Sequence, residues 1–198
     1  LTGADDAFLF SEPHSWADGA AGTRWLLTVY FSIIKNIRMP WLLGLITLLL
    51  YGVAAWLVCE TLSITSSAGI ILVSGLMVTS PTMISSNFYL TSAHMYAGAL
   101  LFACLAAYAY KKWRHGWIAA FVFMLLSEGS YAAYIGMTLC LFFLCSLKEL
   151  LFDQEANDKH NLVRHFGMLF LFGGSMVATT VICNLITANN TAGRVQDA

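Results

Sequence analysis

Charged positions are sparse along this chain of 198 residues, so the apolar runs between them define its elements. A membrane-crossing helix needs about 20 mostly apolar residues. Trp41 to Cys59 carries no charge and predicts a first span. Thr61 to Tyr110 contains no Lys, Arg, Asp or Glu. That stretch is too long for one helix, and it divides near Ser85-Ser86-Asn87, just after Pro81. It predicts spans near 67–84 and 92–110. Gly116 to Ser146 holds one charge, Glu128, inside Ser127-Glu128-Gly129-Ser130. Polar and turn residues grouped in this way predict a tight hairpin of two spans, the first of them short. A last span is expected from about Phe166 to Ile186.

The segment before the first span has a different pattern. From Thr23 to Arg38, Arg24, Thr28, Ser32 and Lys35 fall on one helical stripe, and Trp25, Leu26, Val29, Phe31, Ile33, Ile34 and Ile37 cover the rest. This predicts an amphipathic helix lying in the membrane plane, with Trp25 and Tyr30 at headgroup depth. Four regions are therefore expected within one membrane domain: an acidic loop over 1–22, an interfacial helix over 23–38, a six-span bundle over 41–186 and a tail over 187–198. The fold class is all-α, a polytopic helical membrane protein. A chain that begins at Leu1 and stops soon after an apolar run is expected to be part of a longer one, with at least one span lost at each end.

Composition agrees with this reading. Hydrophobic residues make up 59% of the chain and charged residues 11%, against about 25% charged in soluble domains. The net charge of −1 gives no sign of a nucleic-acid partner. The five cysteines form no C-x-x-C pair and read as small packing residues in spans. The distribution of charge says more. Lys111, Lys112 and Arg114 follow the third span, and Lys148, Lys159 and Arg164 follow the fifth. If 116–146 is a hairpin, these six of the ten basic residues share one side, which the positive-inside rule assigns to the cytoplasm. Asp5, Asp6, Glu12, His14, Asp18, the 85–94 turn and Glu128 then lie on the outer face.

The candidate chemistry gathers on that face. Asp5-Asp6 is an adjacent acidic pair, and a carboxylate within reach of a hydroxyl can act as a general base. Arg24, Lys35 and Arg38 are the outer-face cations placed to pair with a lipid phosphate at headgroup depth. Glu128 is an ionisable group near membrane depth, which is costly and marks a functional candidate, although a wet turn would also hold it. His94 stands at the start of the third span beside Ser92 and is a candidate for binding an acceptor sugar. Trp25, Trp41, Tyr89 and Tyr96 are aromatic surfaces on which sugar rings can stack.

The order of parts resembles the serotype-converting glucosyltransferase II family of bacteria and their phages, membrane enzymes of the GT-C type. The resemblance rests on Asp5-Asp6, on Trp16-Ala17-Asp18-Gly19 through Arg24-Trp25-Leu26-Leu27, and on Gly129-Ser130-Tyr131-Ala132-Ala133-Tyr134 in the hairpin. In that family the acidic pair follows an N-terminal span, and the hairpin Tyr is usually followed by Gln, where this chain has Ala132 after Tyr131. The resemblance implies a GT-C-like fold in the bacterial inner (cytoplasmic) membrane with its active site on the periplasmic face. It implies transfer of a sugar, expected to be glucosyl, from a polyprenyl-phosphate donor to a cell-surface glycan such as O-antigen. Asp5 and Asp6 would be catalytic, Arg24, Lys35 and Arg38 would bind the donor phosphate, and Glu128, His94 and Tyr131 would contact substrate. The expected partners are the donor, the glycan acceptor and the bilayer. No cofactor or metal site is evident, and a divalent cation is neither required nor excluded. Two other readings compete: a lipid-linked sugar transporter or flippase, and a non-catalytic membrane subunit. Mid-span charges of the kind transporters use are nearly absent, which favours surface chemistry.

Overall fold

The computed structural model describes residues 24–26, 29, 30, 39–80, 83, 93–152 and 159–196. Every element among them is helical. Helix α1 spans Pro40–Leu62, α2 Ser67–Val78, α3 Ala93–Lys112, α4 Gly116–Tyr131, α5 Ile135–Phe152 and α6 Lys159–Gln196, with a 3₁₀ turn at Ala132–Tyr134 between α4 and α5.

The helix ends follow local chemistry. Pro40 opens α1, where its missing N–H costs nothing. Ser63 closes α1 in the left-handed region at φ 54°, so that the Ile64 N–H reaches the Cys59 carbonyl at 2.8 Å. Ser66 then caps α2 by accepting a hydrogen bond from the Gly69 N–H at 3.2 Å. Helix α2 has 12 residues, shorter than the expected 67–84 span, and is ~18 Å long at 1.5 Å per residue.

Helix α3 is the centre of the bundle. Ala97, Ala99, Ala103, Ala106 and Ala109 on it are fully buried. Between membrane helices the drive to associate is close packing, and small residues permit it. Gly116 shows how near the backbones come: a Cβ there would lie 1.8 Å from the Ala109 carbonyl oxygen. One apolar cluster joins α1, α3 and α5 around Tyr51, Leu57, Leu100, Cys104 and Leu141. A second joins α3, α4, α5 and α6 around Ala106, Ala120, Met124, Ile135 and Met168. Leu45, Leu48, Leu49, Trp56, Ile71, Leu72, Phe170 and Val177 face outward and are exposed, as lipid-facing residues are.

Two pairs of cross-helix contacts show that the 116–152 region folds back on itself. Gly116 meets Ala109 and Ser127 Oγ donates to the Ala99 carbonyl at 2.8 Å, so α4 runs antiparallel to α3. Thr138 Oγ1 donates to the Ala103 carbonyl at 2.9 Å and Lys111 pairs with Glu149 at 3.6 Å, so α5 runs parallel to α3. Helices α4 and α5 are therefore an antiparallel hairpin. Its reversal is at 132–134, not at the expected Ser127–Ser130. Those four residues stay in α4: Ser130 Oγ returns to the Leu126 carbonyl at 2.8 Å, and Tyr131 is the residue whose backbone breaks to φ −160°.

Because of the hairpin, Lys111, Lys112, Arg114 and Lys148 gather at one end of the bundle, as the charge pattern predicts. There Lys148 Nζ donates to the Leu62 carbonyl at 2.7 Å and caps the C-terminus of α1. Four stretches are long and apolar enough to cross a membrane: Trp41–Leu62, Ala93–Lys112, Gly116–Glu149 and Phe166–Ile186. The third of these takes in both arms of the hairpin, up to Glu149. The expected count of about six spans is not established by these lengths. Helix α6 continues as helix on both sides of the expected 166–186 span.

Candidate functional site at the end opposite the basic cluster

The opposite end of the bundle carries the start of α3, the end of α4 and the 3₁₀ turn, and Arg24, Trp25, Leu26, Val29 and Tyr30 lie against it. Trp25, Leu26, Val29 and Tyr30 have helical backbone, in line with the predicted amphipathic segment. The Arg24 guanidinium carbon stands 4.8 Å from the centre of the Tyr131 ring, a cation–π contact. Tyr131 in turn meets the edge of Tyr96 at 4.8 Å and lies 5.7 Å from Tyr134. Tyr30 packs on His94 with ring centres 5.0 Å apart. Burial raises the Tyr30 phenol above its usual range.

Trp25 lies against Gly129. A Cβ at Gly129 would sit 2.5 Å from the indole ring, so only glycine admits this approach. The Trp25 backbone reaches the Cys183 thiol on α6. The indole thus sits where the last turn of α4 meets α6. Its Nε1 is buried with no hydrogen-bond partner among the described residues, and the same holds for both ring nitrogens of His94.

Glu128 is one residue from that contact. It is 2% exposed, so the wet outer turn considered for it is replaced by a buried place in α4. Both carboxyl oxygens are used. Ser175 Oγ donates to Oε1 at 2.7 Å and Thr179 Oγ1 donates to Oε2 at 2.6 Å. Ser175 and Thr179 are four residues apart and share one face of α6. The Ser175 hydroxyl also lies 2.9 Å from the Phe172 carbonyl.

Of the predicted site residues, Arg24, His94, Glu128 and Tyr131 come together at this end. Asp5, Asp6, Lys35, Arg38 and Tyr89 lie outside the described residues. Ser175 and Thr179 were not singled out in the sequence. The available signal was a Ser and a Thr at helical spacing in the last apolar run, facing an acid in an earlier one. Among the described residues, no group of three or more His, Cys, Asp or Glu comes together in a way that suits a metal ion.

The fold and its apolar exterior define a helical membrane protein with a polar, aromatic-lined cluster at one end. Comparison with protein families then places it: the family described as "Glucosyl transferase GtrII" matches residues 10–196, and the chain belongs to that glucosyltransferase family. Asp5 and Asp6 precede the matched residues. No curated protein and no solved structure matches the chain.

Proposed function

We propose that this protein transfers a glucosyl group from a polyprenyl-phosphate donor to a cell-surface glycan such as O-antigen, at the periplasmic face of the bacterial inner membrane. Membership of the glucosyl transferase family across residues 10–196 carries the reading. The position of Arg24 supports the choice of a lipid-phosphate donor. A polyprenyl phosphate has its charge at headgroup depth and its tail in the bilayer, and a cation held by an aromatic ring at the bundle end suits that placement.

In this mechanism one carboxylate of Asp5-Asp6 takes the proton of the acceptor hydroxyl as its oxygen attacks the anomeric carbon. The bond from that carbon to the phosphate oxygen breaks, and polyprenyl phosphate leaves with the electron pair. Arg24, with Lys35 and Arg38, balances the charge on the leaving phosphate. Tyr131 faces the sugar being moved or received. The basic end of the bundle, with Lys111, Lys112, Arg114 and Lys148, faces the cytoplasm under this orientation.

The donor class is tested with the protein in membranes and glycan acceptor, supplied with labelled glucose on polyprenyl phosphate or on a nucleoside diphosphate. Label is expected in the glycan from the lipid donor alone. Transfer from the nucleotide sugar without the lipid would overturn the donor assignment.

A further inference from the structure

We propose that Glu128 is a positioning residue, whose bonds to Ser175 and Thr179 lock the end of α4 to α6 and so hold the Arg24–Trp25 segment at the donor site. The part concerning the donor rests on the function proposed above.

The first observation is the buried carboxyl group. Glu128 is 2% exposed, and each of its oxygens accepts a hydroxyl from the same face of α6. An ionisable side chain this deep is costly unless its partners are complete. Here they come from the protein, and from residues 47 and 51 positions further along the chain. With both oxygens engaged, the group is built to join two helices. The second observation is what the joint supports. Gly129, the next residue, receives the Trp25 indole, and Cys183, one turn beyond Thr179 on α6, meets the Trp25 backbone. Trp25 therefore spans the seam that Glu128 closes. Arg24 precedes it and lies over Tyr131, three residues after Glu128 on the same turn of α4. If the seam opens, the surface that seats Trp25 changes, and Arg24 moves with it.

A carboxamide keeps this joint. Its oxygen accepts one hydroxyl and its nitrogen donates to the other, which then turns its own proton to a carbonyl of α6. An alanine removes both links. The experiment uses the protein in membranes, with donor and acceptor varied separately. Replacement of Trp25 by photoreactive benzoylphenylalanine supplies a second readout, the crosslink to the peptide carrying Gly129 or Cys183.

Glu128→Gln is expected to keep the crosslink and a donor KM within about two-fold of the parent. Glu128→Ala is expected to lose the crosslink and raise the donor KM about ten-fold, with the acceptor KM unchanged. Ser175→Ala with Thr179→Val should reproduce the alanine result. Ser175→Ala alone, the mildest break, should weaken both readouts in part if the larger changes prevent folding. The proposal is overturned if Glu128→Gln is as inactive as Glu128→Ala while the crosslink persists, because Glu128 would then act on substrate directly. It is also overturned if the crosslink survives in Glu128→Ala. Should the parent protein transfer nothing from polyprenyl-phosphate glucose, the functional reading fails, and the crosslink alone decides whether Glu128 locks the seam.

Discussion

The indole of Trp25 lies so close to Gly129 that a single added carbon there would stand 2.5 Å from the ring. The contact fixes where the juxtamembrane segment meets the helical bundle, and it makes a small residue obligatory near the end of α4. Gly129→Ala must displace either the indole or the helix, at a cost of about 1–3 kcal/mol for overpacking. The expected outcome is a folded protein with weakened donor binding, read as a raised donor KM. A Gly129→Ala variant with unchanged donor KM would show that Trp25 does not seat Arg24.

Along the same helix, Gly116 and Ser127 separate two kinds of contact. A Cβ at Gly116 would lie 1.8 Å from a backbone oxygen of α3, which no rotamer can relieve. Ser127 makes one hydrogen bond to the Ala99 carbonyl at 2.8 Å. A hydrogen bond between membrane helices is worth about 0.6 kcal/mol on average. Gly116→Val is therefore expected to be strongly destabilising, whereas Ser127→Ala should be nearly neutral. Thermal unfolding in detergent orders the two, and a Ser127→Ala protein less stable than Gly116→Val would contradict the packing account.

The Arg24–Tyr131 contact depends on the ring and not on its hydroxyl. A partly exposed cation–π pair is worth about 0.5–1 kcal/mol. Tyr131→Phe should leave donor binding unchanged, and Tyr131→Leu should weaken it by about two- to five-fold. Arg24→Gln should weaken it further, because the charge itself is lost. Donor KM measured at saturating acceptor distinguishes the three.

The two ends of the bundle differ in charge, and this predicts sidedness. Arg114, exposed at the basic end, should face the cytoplasm, and Met39, exposed at the start of α1, should face out. Met39→Cys should react with a membrane-impermeant thiol reagent in intact cells, and Arg114→Cys only after the membrane is opened. The reverse pattern would place the cluster around Arg24 and His94 on the cytoplasmic side.

The helical character and the α4–α5 hairpin are legible in the sequence, because uninterrupted apolar runs and basic loops record them directly, whereas the packing of the other helices around α3 has no such record. The basic residues Lys111 and Lys148 point to a shared end of the bundle, where Lys111 pairs with Glu149 and Lys148 caps α1. The turn was misplaced because Ser127-Glu128-Gly129-Ser130 carries turn chemistry whose reason here is tertiary. Gly129 is there for Trp25, and Glu128 is there for hydroxyls on a distant helix. Neither relationship has a local signature. Ser175 and Thr179 were overlooked because a hydroxyl within an apolar helix ordinarily bonds back to its own backbone, as Thr180 does to the Met176 carbonyl at 2.9 Å. The acidic pair was legible as chemistry, but it lies outside the described residues and ahead of the family match.

The most direct measurement is glucosyl transfer from labelled polyprenyl-phosphate glucose to glycan acceptor by the parent protein, Asp5→Asn and Asp6→Asn, each in membranes at matched amounts. Asparagine keeps the shape of the side chain and removes its basicity. The account predicts transfer by the parent and a loss of about 10²–10⁴-fold in kcat for one of the two variants, the size expected for removing a general base. Full activity in both asparagine variants would contradict the assignment of the base to Asp5-Asp6. No transfer from the lipid donor by the parent would contradict the reaction itself.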